Sequence, residues 1–269
     1  MKLKFTASAV IAAALTLTAC ATSPTGRNQV LLYSETQLAQ MGDQAFTGMK
    51  EELKISNKAV QNTYVECVAN AITAQVPASV FDGQWEVVVF DDEQVNAFAL
   101  PGGKIGVYTG LLNVAENQHQ LAAVIGHEVG HVIAEHGNER MSQSTLINMG
   151  SQAVGQVLAA NEVPQSGPIM AAIGLGVQVG VQLPFSRTHE SEADVIGLQL
   201  MAKSGFDPRQ SVNLWQNMDA ASAIAQWSCY LLTPHLRQEL RIYKRICLMR
   251  TQTIKRPRIV QTVAKSIEV

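Results

Sequence analysis

Residues 127–131 read His-Glu-Val-Gly-His, and they lie in the middle of a stretch, residues 117–136, whose apolar residues recur at helical spacing. That spacing predicts an amphipathic helix. Side chains four positions apart share one helix face, so His127 and His131 can both face one metal ion. Glu128 is offset to the side, where it can reach a water molecule beside that ion and accept its proton. Zinc suits such a site, because a catalytic zinc ion takes three protein ligands and leaves the fourth position to water.

A third ligand has to come from elsewhere, and residues 186–194 concentrate carboxylates at the start of another predicted helix. Glu190 and Asp194 are four positions apart and share one helix face. One of them can bind zinc while the other accepts a hydrogen bond from a ligating histidine and fixes its orientation. His189 is an alternative third ligand and would give an all-histidine site. Glu192 lies on a different face and is predicted to be solvated.

The neighbouring segments predict an α+β domain over residues 34–220. Gly137 marks the predicted end of the central helix. His119 and His136 have no partner pattern and are predicted to lie at the surface. The uncharged stretch 168–185 is rich in glycine, which favours a buried or hinge-forming helix over a membrane span. Further helices are predicted at 34–52, 56–75 and 189–203, and strands at 85–90, 96–100 and 104–109, the last two joined by Pro101-Gly102-Gly103.

These motifs together resemble the HtpX/BepA-like zinc metallopeptidases, which are relatives of the CAAX prenyl endopeptidases. The narrowest resemblance is to their LoiP-like members, which are bacterial periplasmic lipoproteins. The resemblance implies a gluzincin-like zinc metallopeptidase domain, mostly helical, with a small β-sheet beside the active-site helix. It rests on the pentad and on Ser186-Arg187-x-x-Glu190-x-Glu192-Ala193-Asp194, together with the motifs at 23–27, 96–103 and 205–208.

The resemblance also implies the roles of the site residues. It makes His127, His131 and Glu190 the ligands of one zinc ion per chain, which places Glu190 ahead of the neighbouring histidine as third ligand. Glu128 is implied as the catalytic base. Asp194 is implied as a second acid, which either orients a ligating histidine or donates a proton.

Two further features are linked to the site by the same resemblance. Arg187 matches the arginine that the family carries before its third ligand. The strand containing Asn96, Ala97 and Phe98 is a candidate sheet edge, to which an extended peptide substrate could add through main-chain hydrogen bonds. An internal strand, with Phe98 and Leu100 in the core, fits the sequence equally well.

The N-terminus has the pattern of an export signal followed by a lipid-attachment site. Residues 1–19 combine a basic start with a short apolar run, which predicts a signal peptide. The Leu-Thr-Ala-Cys motif ending at Cys20 resembles the bacterial lipobox, whose cysteine carries two acyl chains, enough for stable anchoring. The alternative is a soluble secreted protein. Residues 20–33 are predicted to be a lipidated N-terminus and tether, and the residues after Cys20 favour the outer membrane of a Gram-negative bacterium, with the body facing the periplasm.

Composition excludes several other classes of protein. The 269 residues are 47% hydrophobic with a formal net charge of -2, which argues against disorder and against nucleic-acid binding. Four cysteines are too few for a disulfide scaffold. We therefore expect a zinc metalloendopeptidase that cleaves unfolded or misassembled envelope proteins, including membrane-associated ones. The alternative function is a zinc-containing chaperone-like or binding lipoprotein.

The C-terminal residues 221–269 depart from the family pattern. Residues 229–269 carry 9 Lys and Arg against 2 Asp and Glu, whereas the rest of the chain is acidic. Thr233-Pro234-His235 stands where the family carries Thr-His-Pro-Ser. A frameshift near residues 221–228 explains both features, and a native basic tail that binds anionic lipid or protein is the alternative. On the frameshift hypothesis, Cys67 has lost a disulfide partner, although pairing with Cys247 remains open.

Sequencing this gene in an independent isolate tests the frameshift hypothesis. We expect the isolate to lack the basic tail and to encode the family's Thr-His-Pro-Ser order in its place. The same uninterrupted reading frame in that isolate would show instead that the basic tail is native.

Overall fold

The computed structural model describes residues 20–161, 166–177 and 183–230. These residues form five strands and eight helices, which confirms the predicted α+β class with mostly helical content. The predicted signal peptide and residues 231–269 lie outside the described residues. The strands are β1 (Cys20–Thr22), β2 (Asn28–Val30), β3 (Glu86–Phe90), β4 (Ala97–Leu100) and β5 (Lys104–Tyr108). The helices are α1 (Glu35–Glu52), α2 (Ala59–Thr73), α3 (Thr109–Leu112), α4 (Gln118–Ile133), α5 (His136–Ala160), α6 (Ser166–Val177), α7 (Leu183–Lys203) and α8 (Gln210–Tyr230).

Strands β3, β4 and β5 form one sheet with the order β3-β5-β4. Strand β5 pairs in parallel with β3 and antiparallel with β4. The predicted hairpin between β4 and β5 is confirmed, and its turn uses Gly102 and Gly103 with φ angles of 82° and 71°, which glycine adopts without strain. Strand β4 therefore lies at one edge of this sheet and packs beside α4.

One apolar core joins the sheet to the central helices. Leu121 and Ile125 of α4 are buried together with Ile72 of α2 and Ile105 of β5. Burial of each such side chain contributes roughly 1.5–3 kcal/mol to the free energy that favours folding. Leu214 of α8 completes the same cluster, so the helix that carries the pentad is held on several sides by apolar packing.

Helices α4 and α7 cross with their backbones in contact. Gly126 and Gly130 of α4 meet Ala193 and Gly197 of α7. A methyl group added at Gly197 would lie 2.9 Å from the main-chain nitrogen of His127, and one added at Gly130 would lie 2.9 Å from the Ala193 carbonyl oxygen. No side chain fits between the helices at these points. The close approach brings the histidines beside the two α4 glycines next to the carboxylates of α7.

Three sequence expectations about helix boundaries and burial are wrong. Gly137 does not end the central helix, because α4 ends at Ile133 and Glu135, with a φ angle of 53°, turns the chain directly into α5. Helix α7 begins at Leu183, so the carboxylate cluster lies inside that helix. Helix α6 is largely exposed, with Leu175 62% accessible, so the buried alternative is wrong for this helix and the hinge-forming alternative stays a prediction.

Much of α6 lies in the uncharged, glycine-rich stretch of the sequence. Within residues 20–161, 166–177 and 183–230, no helix combines the length and the apolar character that a transmembrane helix needs.

The predicted tether folds against the rest of the domain. Strands β1 and β2 pair antiparallel over Cys20–Thr22 and Asn28–Val30. Ser23 and Gln29 of this hairpin are buried. The hairpin packs on α5, so this part of the chain is folded onto the domain. It is held there by polar contacts with distant residues, which its composition does not reveal.

Gly197→Ala tests the close crossing of α4 and α7. The added methyl group would overlap the backbone at His127, so we expect the free energy of unfolding to fall by about 1–3 kcal/mol in urea denaturation. Gly150→Ala on the exposed part of α5 is the control, because its methyl group would meet no atom within 4 Å. The control should gain up to about 1 kcal/mol from helix propensity. A Gly197→Ala protein as stable as the control would contradict the described packing.

Candidate metal centre

Helices α4 and α7 bring three metal-binding side chains together. The side chains of His127, His131 and Glu190 each offer one ligand atom, and these atoms all lie within 4.8 Å of one another. The two histidine Nε2 atoms are 3.1 Å apart. Glu190 Oε2 lies 3.3 Å from His127 Nε2, and Glu190 Oε1 lies 3.7 Å from His131 Nε2. The structure thus brings together the three residues that the sequence suggested as ligands.

The spacing of these atoms fits a zinc ion. With ligand distances of about 2.0–2.1 Å, neighbouring ligands in a tetrahedral zinc site are separated by roughly 3.3–3.4 Å. The separation of 3.1 Å between the two Nε2 atoms lies near that value. One Glu190 oxygen lies 3.3 Å from His127 Nε2, and the other lies 3.7 Å from His131 Nε2. Two imidazoles and one carboxylate are also a donor set that zinc accepts in catalytic sites.

His127 is oriented by groups on two helices. Its Nδ1 atom lies 3.0 Å from Asp194 Oδ1, which leaves Nε2 turned toward His131 and Glu190. The Trp215 ring of α8 packs edge-on against the imidazole at 6.2 Å. A carboxylate behind a histidine ligand fixes both the tautomer and the direction of the ring.

His131 is oriented by a second histidine. Its Nδ1 atom lies 2.8 Å from His136 Nδ1, and His136 Nε2 lies 3.1 Å from Glu192 Oε2. His136 and Glu192 are both buried, so the expectations that the first lies at the surface and the second is solvated are wrong. His136 is buried because the left-handed turn at Glu135 folds the first turn of α5 back beneath α4.

A layer of buried charge lies beneath this second histidine. Arg27 of the N-terminal hairpin bridges two carboxylates, with contacts of 2.6 Å to Glu139 and 3.0 Å to Glu192. His189 Nε2 lies 2.9 Å from Glu139 Oε2, and its ring stacks on His136 with a centroid distance of 4.0 Å. His189 therefore faces away from the three candidate ligands, and the structure does not place it as the third ligand.

The electrostatics of the site favour positive charge between the two helices. Burial lowers the pKa of His127, but hydrogen bonds with Asp194 and Glu190 outweigh it and raise the pKa to about 10. Burial raises the pKa of Glu190, but its contacts with His127 and His131 hold it well below its usual value. The same carboxylates would stabilise a divalent cation bound between the helices.

The carboxyl group of Glu128 has a different environment from that of Glu190. Desolvation raises the pKa of Glu128 above its usual value, although the nearby histidines act in the opposite direction. A carboxylate with a raised pKa is a better proton acceptor near neutral pH. This shift fits a residue that takes up and releases a proton during a reaction.

The remaining candidates lie outside the ligand cluster. Arg187 is exposed, and its carbonyl oxygen accepts a hydrogen bond from Ser191 Oγ. Asn96 is exposed at the start of β4, while Ala97 is buried. The half-buried ring of Phe98 packs against an aromatic cluster of Phe46, Phe90 and Tyr108.

No local sequence pattern predicts the residues that support the candidate ligands from beneath. Arg27 is separated from Glu139 and Glu192 by more than a hundred positions, and no local pattern links them. One usable signal was the Thr25-Gly26-Arg27 motif, because a charged residue in a motif shared with a family points to a specific contact. A second was the four-residue spacing of small residues on both α4 and α7, which indicates close helix packing.

Comparison with protein families places the site in a known context. The sequence model described as Peptidase family M48 matches residues 57–256 of this chain. That range contains the pentad, the third candidate ligand and both strands of the β4–β5 hairpin.

Individual relatives come from mitochondria and from bacteria. The chain is 35% identical to the mitochondrial metalloendopeptidase OMA1 of Schizosaccharomyces pombe over 181 residues, which cover 67% of this chain and 51% of the relative. It is 36% identical to the OMA1 of Arabidopsis thaliana over 188 residues, covering 68% and 36%. It is 29% identical to the β-barrel assembly-enhancing protease of Escherichia coli over 180 residues, covering 64% and 36%. The matched part of the chain thus spans about half or less of the length of these relatives.

Proposed function

This chain belongs to peptidase family M48, and from that premise we propose that it is a zinc-dependent endopeptidase that hydrolyses unfolded or misassembled envelope proteins. The observation that carries the proposal is the cluster of His127, His131 and Glu190, whose spacing suits one zinc ion. Glu128 lies on the same helix as the two histidines. The relatives named as metalloendopeptidases support the same class of reaction.

The side chains in and around the cluster have separate roles in peptide hydrolysis. His127, His131 and Glu190 would hold zinc, which supplies a Lewis acid that polarises the substrate carbonyl and makes water more acidic. Glu128 takes the proton from the attacking water and passes it to the nitrogen of the leaving amine. Asp194 holds the imidazole of His127 so that Nε2 stays turned toward the cluster.

Glu128→Gln tests whether the site is catalytic. The amide keeps the size of the side chain but cannot accept the proton, so we expect the turnover of an unfolded protein substrate such as casein to fall by about 10²–10⁴-fold. Zinc content should remain one ion per chain, because this residue is not a ligand. Glu116→Gln is the matched control, since its exposed carboxylate precedes the same helix, and it should cleave at the wild-type rate.

The alternative function makes the opposite prediction for the same variant. A chaperone-like or binding lipoprotein would keep zinc as a structural element. In that case wild type and Glu128→Gln would show the same negligible cleavage and the same ability to suppress aggregation.

We also propose that substrate binds along strand β4. The main-chain bond from Tyr108 to the Asn96 carbonyl sets the pairing of the hairpin, so Ala97 and Ala99 are its non-hydrogen-bonded positions. The main-chain groups of such positions point away from the partner strand, where an extended peptide can pair with them. Phe98 would then support the strand through the aromatic cluster and leave recognition to the backbone.

Ala99→Pro tests this binding edge. Proline removes an outward N–H group and no bond to β5, so we expect KM for an unfolded substrate to rise by about tenfold, the loss of one good hydrogen bond. The melting temperature and zinc content should change little. An unchanged KM in a folded variant would place the substrate elsewhere.

The location of the protein is a separate part of the proposal. We propose that Cys20 carries a lipid anchor in the outer membrane and that the peptidase domain faces the periplasm. The export pattern of the sequence and the similarity to a bacterial β-barrel assembly-enhancing protease support this location. The mitochondrial relatives show that the family also works elsewhere.

A further inference from the structure

The two histidines of the candidate zinc site are supported in different ways. His127 contacts the Asp194 carboxylate directly. His131 contacts another imidazole, His136, and only beyond it a carboxylate, that of Glu192. An imidazole holds a histidine ligand in place only if its own proton is on the correct nitrogen. The groups beneath His131 therefore have to fix which ring nitrogen of His136 carries the proton.

The contacts allow a single assignment of protons when His131 binds zinc. Binding through Nε2 leaves the proton of His131 on Nδ1, from which it is donated to Nδ1 of His136. A neutral His136 that accepts there must carry its proton on Nε2. It donates that proton to the Glu192 carboxylate 3.1 Å away. The chain of donors works only while Glu192 remains an acceptor.

Arg27 and Thr25 both donate hydrogen bonds to Glu192, which fixes its carboxylate beside His136. The Nε atom and one terminal nitrogen of Arg27 lie 3.1 and 3.0 Å from Glu192 Oε2, the same oxygen that faces His136. Thr25 Oγ1 donates to the other oxygen at 2.6 Å. Both oxygens of Glu192 thus accept hydrogen bonds from the hairpin, and Oε2 also faces His136 Nε2.

The same guanidinium fixes the position of the whole hairpin on the domain. Its two terminal nitrogens each lie 2.6 Å from an oxygen of Glu139, a bidentate contact. Gln29 Nε2 donates to the same carboxylate at 3.0 Å. Paired, geometrically fixed contacts of this kind are among the strongest hydrogen bonds in proteins. Arg27 thus cannot shift toward Glu139 or Glu192 without losing contacts to the other.

We infer that Arg27, acting through Glu192 and His136, is a positioning residue for the zinc ligand His131. The inference rests on the proposed function, since it presupposes zinc at this site. On this inference the N-terminal hairpin, which precedes α1, helps to hold the metal centre. Loss of the relay would leave the rotation of the His131 ring and the position of its proton unfixed.

Glu192→Gln is the main test, with zinc affinity measured by competition with a chromogenic chelator. The amide can donate to His136 Nε2, which moves the proton of His136 to Nδ1 and turns it toward His131. We expect zinc affinity to fall by about 10–100-fold, as for other residues that orient metal ligands. Glu86→Gln on strand β3 is the matched control, because Glu86 contacts Lys50 and Lys104 instead, and its zinc affinity should equal that of wild type.

Arg27→Lys provides the second variant and a thermodynamic cycle. Lysine keeps the charge but cannot bridge both carboxylates, so zinc affinity should fall in this variant as well. Because both residues act on His131 through the same contact, the Arg27→Lys, Glu192→Gln double variant should lose little more affinity than Glu192→Gln alone. Arg209→Lys, at an exposed ion pair with Asp207, is the control and should bind zinc normally.

The possible results distinguish the proposed function from the inference about Arg27. Wild-type protein that binds no zinc would overturn the proposed function and this inference with it. Wild-type zinc binding with unchanged affinity in folded Glu192→Gln would overturn the inference alone, and the hairpin would then be only a stabilising element. If Arg27→Lys does not fold, the comparison of Glu192→Gln with Glu86→Gln still tests the relay through which Arg27 would act, and equal zinc affinities would overturn the inference.

Discussion

The site depends on how closely helices α4 and α7 approach each other. A histidine on one helix and a carboxylate on the other can share a metal ion only when their backbones are close, because both side chains are short. Gly126, Gly130 and Gly197 permit that distance, since a methyl group at any of them would press on the opposite backbone. The apolar core around α4 then holds the crossing in place. The residues that permit close packing and the candidate ligands are thus adjacent in sequence, with each α4 glycine directly preceding a candidate ligand histidine.

The second requirement is control of buried charge. Glu139 and Glu192 are buried side by side beneath the candidate metal centre, and buried carboxylates without partners are strongly destabilising. Arg27 of the N-terminal hairpin forms ion pairs with both of them. The hairpin lies outside residues 57–256, where the family model matches. In this chain the polar support of the site therefore extends beyond the matched domain, toward the end of the chain that we propose to be anchored.

Sequence patterns predicted the parts of this structure that depend on local periodicity. The helices α1, α2 and α4 and the β4–β5 hairpin follow from apolar spacing and turn residues. The pentad predicted the two histidines of the cluster, and the family resemblance selected Glu190 among the candidates for the third position. The burial of His136 could not be predicted, because it depends on a left-handed turn at Glu135, a residue type that seldom adopts that conformation. The role of Arg27 was missed for another reason, since its partners are distant in sequence and meet it only after the helices have packed.

The central claim is that α4 and α7 form one zinc site from two histidines and one glutamate. X-ray absorption at the zinc edge, on purified protein loaded with zinc, tests this claim most directly. We expect one tightly bound zinc ion per chain, with two imidazole ligands and oxygen ligands completing the shell, and loss of that signal in His131→Ala. A folded protein that takes up no zinc, or one whose zinc spectrum is unchanged in His131→Ala, would contradict the claim.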